Sequence, residues 1–127
     1  MNYGYTKKTN LSFDEAINKT KEELKKEGFG VLTEIDVKKT LKSKIDVDFD
    51  DYIILGACNP SFAHKALLSE KEVGLLLPCN VIVYRDSDEI YVSVILPSIA
   101  MAVVENESLE DVAKEVEDKL KRAVDNI

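Results

Sequence analysis

The sequence predicts an α+β layer fold, a mainly antiparallel five-stranded sheet packed against two long amphipathic helices, with one or two short helices. Three observations carry this. Apolar runs rich in β-branched and aromatic residues recur at strand length, the last two of them joined by a hairpin-like Asp86-Ser87-Asp88. Two segments, near Phe13–Leu24 and Leu109–Ile127, repeat apolar residues at helical spacing. Grouped hairpin strands, rather than strict strand-helix alternation, favour α+β over a doubly wound sheet. At 127 residues the chain has the size of one domain, 1–127, able to bury a core without disulfides.

Taken in order, Tyr3 to Thr9 alternates weakly and suits an edge strand. Ser12 and Glu15 have the spacing of a capping box, and Leu11 can staple onto Ala16, so a helix starts there. Its stripe is Phe13, Ile17, Thr20 and Leu24, and Gly28 is its terminator. Phe29 to Asp36 alternates as a strand, and Asp36 can cap a short helix whose Val37, Leu41 and Ile45 face inward. After an acidic loop, Tyr52–Cys58 is too short and too rich in β-formers for a helix and reads as a buried central strand.

Asn59 followed by Pro60 fits an N-cap and first helical residue for a helix over 61–69, packing through Phe62, Ala63, Ala66 and Leu67. Val81–Arg85 and Glu89–Leu96 form the hairpin, and Pro97 stops it. Ser108, three residues before Asp111, is the expected cap of the last helix, with stripe Leu109, Val112, Ala113, Val116, Leu120, Ala123 and Ile127.

Composition excludes several functions. Seventeen Lys and Arg against 24 Asp and Glu give a net charge of −7, and Lys38, Lys39, Lys42 and Lys44 sit beside Asp46, Asp48, Asp50 and Asp51. No basic stripe with interleaved aromatics exists, so no nucleic-acid partner is expected. The N-terminus lacks an apolar signal core, and the longest apolar stretch, Val92 to Val104, is broken by Ser93, Pro97 and Ser98. The expectation is a cytoplasmic protein with no membrane partner and with reduced thiols. The Asp46–Asp51 run lacks the glycine turn and terminal glutamate of a calcium loop.

The chemistry concentrates in two similar motifs, Ala57-Cys58-Asn59-Pro60 and Leu77-Pro78-Cys79-Asn80, which hold both cysteines. A Cys-Asn step where a strand meets a helix can place a thiol beside free backbone N–H groups, which stabilise a thiolate or a small anion. Cys58, Asn59, Pro60, Cys79 and Asn80 are therefore the candidate ligand-binding residues. Equally, free cysteine is among the most buried residue types, and both thiols could be core.

No cofactor is specified. A soft metal such as copper(I) would draw on Cys58 and Cys79 with His64, the single histidine, and the Met101 thioether. Their spacing matches no zinc motif.

Taken together in order, Glu34-Ile35-Asp36 with Thr40-Leu41, Tyr52-Ile53-Ile54-Leu55-Gly56-Ala57-Cys58-Asn59-Pro60 with Ala63 and Ala66-Leu67, and Gly74-Leu75-Leu76-Leu77-Pro78-Cys79-Asn80-Val81 resemble the bacterial and archaeal family catalogued as domain of unknown function 302. The resemblance covers nearly the whole chain. It implies a compact α+β domain with an antiparallel sheet, assembled as a homodimer, and it brings no established activity. Cys58, Asn59, Pro60, Pro78, Cys79 and Asn80 transfer as the family's motif positions.

Three functions stay open at this point. The first is a dimeric binding module with a pocket, bordered by Cys58, Asn59, Cys79 and Asn80, for a small anionic, sulfur-containing or soft-metal ligand. The second is a thiol-dependent enzyme or redox protein using Cys58 or Cys79. The third is a structural or protein-interaction dimer with buried cysteines.

Overall fold

In a computed structural model describing residues 2–127, the five strands form one antiparallel sheet in the order β1-β5-β4-β3-β2. They are β1 (Gly4–Thr9), β2 (Gly30–Asp36), β3 (Tyr52–Cys58), β4 (Cys79–Asp86) and β5 (Glu89–Ile95). The helices are α1 (Phe13–Lys26), α2 (Val37–Ile45), α3 (Pro60–Ser69), α4 (Pro97–Ala100) and α5 (Glu107–Asp125). Tight 3-10 turns over Lys71–Leu76 and Met101–Val104 complete the chain.

The two long helices lie together on one face of the sheet because each is apolar along one stripe and the strands alternate. Leu24 of α1 and Leu120 and Val124 of α5 interdigitate with Leu55, Val81, Val83 and Val92, nearly all without exposed surface. Ser12 makes the expected capping box with Glu15, its hydroxyl accepting from the Glu15 N–H at 3.2 Å. Gly28 ends that segment at φ 87, a left-handed conformation that costs glycine little. Arg122 of α5 meets Glu27 at 3.0 Å, joining the ends of the two helices.

On the opposite face the rings of Tyr52, Tyr84 and Tyr91 stack across three neighbouring strands, with centroids 5.6 and 5.4 Å apart. Ile35, Ile54 and Ile82 form the adjoining row in register, and Ile35 is 49% exposed.

Three expectations need correction. Ile45 does not face inward; it is 63% exposed, and α2, which packs on β3 and β2 away from the two long helices, buries no residue completely. The cap of α5 is Asn106, whose side-chain oxygen accepts from the Ser108 N–H at 3.0 Å, and the Ser108 hydroxyl donates to the same oxygen. The last strand pair starts earlier than expected, at Cys79, which pairs with Ala57 and points into the core face rather than sitting in a turn.

Candidate functional site

Antiparallel pairing of β3 with β4 brings the two motifs together, because Ala57 faces Cys79 and Cys58 is the next residue. At that end of the sheet β3 gives way to α3 and the Leu77-Pro78 bond, which is cis, leads into β4. Gly56 makes the approach feasible. A Cβ there would lie 2.7 Å from Pro78 Cγ and would overlap the Thr33 hydroxyl. Only a bare backbone lets the Pro78 turn and the bulged segment of β2 between Val31 and Thr33 close over this position.

The motifs open onto a cavity of about 320 Å³ between the sheet end, α3 and α5. Cys58, Asn59, Pro78 and Cys79 line it from the sheet side, Phe62 and Ala63 from α3, Ala113 and Val116 from α5, and Met101 from the turn before α5. Its lining is apolar almost throughout and contains no charged side chain. Leu32, extruded by the bulge in β2 and 69% exposed, stands at its rim with Leu67.

The two thiols differ. Cys79 is 8% exposed, and burial, with a smaller contribution from neighbouring Cys58, pushes its thiol from an ordinary 9.0 up to about 11. It therefore keeps its proton at neutral pH and is a poor nucleophile. Cys58 is half-buried and open to the cavity.

The start of α3 is already occupied by its own chain. Pro60 has no N–H, the Phe62 N–H donates to Asn59 Oδ1 at 3.4 Å, and the Ala63 N–H donates to the Asn59 carbonyl at 2.9 Å. The Asn59 amide also donates to the Glu27 carbonyl at 3.5 Å. Asn59 thus caps α3 and fastens it to the end of α1, leaving little for an anion to bind.

Of the candidate residues, Cys58, Asn59, Cys79 and Met101 are brought together around one cavity, while Pro60 and Asn80 are exposed and lie outside its lining. Asn80 lines a second, smaller cavity behind Pro78. His64 is exposed and outside the lining, so the expected convergence of Cys58, His64 and Cys79 on a metal does not occur. Among the described residues no group of three or more His, Cys, Asp or Glu side chains is placed to hold a metal ion. Sequence reasoning missed Phe29, Val112 and Ala113 as cavity residues; the available signal was the small residues Ala63, Ala66 and Ala113 on helix faces that should fill a core.

The family model for domain of unknown function DUF302 matches residues 5–127, nearly the entire chain. The chain belongs to the DUF302 family. A crystal structure of an uncharacterised conserved DUF302 protein from Bacillus stearothermophilus shares the fold at a TM-score of 0.94 and 30% sequence identity, over 99% of this chain and 98% of that one. None of the curated proteins matches the chain at a significant level. As a DUF302 domain the chain has the antiparallel α+β architecture that the resemblance implied, and no helix among the described residues is long and apolar enough to cross a membrane.

Proposed function

We propose that this DUF302 domain is a small-molecule-binding module whose ligand is apolar and uncharged, seated against Cys58 and Cys79 between the sheet end and helices α3 and α5. The single observation that carries this is the cavity itself. Its 320 Å³ lies at the lower end of the range of ligand pockets, and it is bounded by apolar side chains with thiol, thioether and amide groups and no charge. An anion has no cationic partner there, so of the ligand types the motifs suggested, a soft or sulfur-containing apolar molecule fits best. Thiol catalysis is the weaker reading, because Cys79 is held protonated and the cavity lining brings no imidazole or cationic side chain to either thiol.

The test is binding of the neutral dye phenylnaphthylamine, whose fluorescence rises in apolar surroundings. Saturable enhancement that is lost in Ala63→Leu, and not displaced by inorganic phosphate, supports the proposal. Absence of enhancement, or displacement by phosphate, overturns it.

The homodimer is a proposal of the same standing, and its contact is the sheet face of Tyr52, Tyr84, Tyr91, Ile54 and Ile82. Two copies that each carry −7 repel unless they meet on neutral ground, and the middle of this face carries no carboxylate. Sedimentation should give twice the monomer mass, reverting to one in Ile82→Asp; a monomeric wild-type protein rejects the assembly.

A further inference from the structure

Behind the main cavity lies a second one of about 260 Å³, and the two share five wall residues, Leu77, Pro78, Cys79, Pro97 and Met101. Cys79 is held in the β3–β4 pairing with Pro78 just before it, Pro97 is buried at the start of α4, and Leu77 follows a 3-10 turn. Met101 differs, because it also lines a third cavity of about 280 Å³, between its own turn and α5, and so borders all three. Met101 also packs on the cluster of Ala66, Val73 and Leu109, but an unbranched thioether with three rotatable bonds that borders open volume has alternative rotamers to take.

The backbone carrying it is held at both ends. Before it, the Ser98 N–H and hydroxyl donate to Glu117 Oε1 at 3.1 and 2.6 Å; after it, the Asn106 amide donates to the Ser69 carbonyl at 3.4 Å.

The two cavities also differ in chemistry. The first is apolar almost throughout, whereas the second has a substantial polar share and carries exposed Asn80 on its lining, again with no charged side chain. We infer that Met101 is a movable partition between the two cavities, and that together they hold one unbranched, neutral amphiphile, its alkyl tail in the first and its polar head beside Asn80 in the second. This rests on the binding module proposed above and adds the class of ligand and the residue that sets its length.

The experiment measures binding of octanol and dodecanol to the purified full chain by displacement of phenylnaphthylamine, in wild type, Met101→Ala and Met101→Phe. Removing the partition should tighten dodecanol by about tenfold, equivalent to burying roughly two further methylenes, and leave octanol unchanged. Met101→Phe, with a stiff ring in the gap, should lose dodecanol and keep octanol. If Met101→Ala does not fold, Met101→Val shortens the same side chain and should still tighten dodecanol relative to octanol. Equal shifts for both alcohols, or none, overturn the partition, and dodecanoate binding better than dodecanol overturns the neutral head. Dye binding without alcohol binding refutes the amphiphile while leaving the module standing; failure to bind the dye refutes both.

Discussion

The two ends of this domain use the same kinds of residue for opposite results. Under α1 and α5, leucine and valine fill the space so completely that Leu24, Leu55 and Leu120 expose 1% of their surface or less. Between α3, α5 and the motif turns, a smaller cluster of Ala66, Val73 and Leu109 packs beside a cavity of 320 Å³. The difference lies in side-chain volume. Where the first region sets Leu opposite Val, the second sets Ala63, Ala66 and Ala113 around Phe62 and Met101, and small residues on facing elements leave a hole. Apolar character alone does not make a core.

The comparison breaks most visibly through truncation. Leu120→Ala should cost about 3–4 kcal/mol in urea unfolding, whereas Leu67→Ala, 40% exposed at the cavity rim, should cost under about 1 kcal/mol. Equal losses would mean that the cavity is filled or collapsed in solution.

Cys79 tests which region that residue belongs to. Its folded thiol pKa of about 11 lies above the unfolded 9.0, so its contribution is fully present below about pH 9 and is lost as pH rises through about 11. Wild type should therefore shed about 2–3 kcal/mol more over that window than Cys79→Ala, and Cys58 should alkylate while Cys79 stays unreactive until unfolding. Matching pH profiles would place Cys79 in a solvated site.

Gly56 stands where the two regions meet. Gly56→Ala should cost about 2 kcal/mol, because its Cβ meets Pro78 and Thr33, while Gly30→Ala, with nothing within 4 Å, should be close to neutral. The smallest effect sharpens the contrast furthest. Ala123→Leu overfills the packed region and should lose about 1–2 kcal/mol, but Ala63→Leu enters empty volume and should gain about 0.5 kcal/mol while abolishing dye binding. Two changes of the same sign would erase the distinction.

What the chain announces in advance follows from which structures leave a periodic trace. The Ser12–Glu15 box, the Gly28 stop and the Tyr52–Cys58 run each combine an apolar period with a specific terminator, and each stands where expected. Asn106 and Ser108 are both good caps two residues apart, and only the Ser69 contacts of the folded chain select the first. The segment 97–104 folds as a four-residue helix and a 3-10 turn, too short for any period to show. Half of the candidate site was legible, since Cys-Asn steps at strand ends are visible in one dimension and the pairing of their strands was the remaining condition. His64 failed as a ligand because its helix is anchored through Asn59, Phe62 and Ala66, which turns position 64 outward. A cavity leaves no trace of its own, because periodicity reports which face is apolar and not whether the facing volumes add up.

Tyr5 donates to Asp125 at 2.6 Å and Lys7 to the Asp125 carbonyl at 2.9 Å, while β1 pairs only with β5, so the first strand depends on partners as much as 120 residues downstream. Its backbone pairing closes a loop that contains β2, β3, β4 and the long helix α1, since Gly4 meets Ile95 and Thr9 meets Ile90. Contacts of such sequence separation carry a large loop-closure cost, so the edge of the sheet formed by β1 raises the contact order of the whole domain and slows its folding.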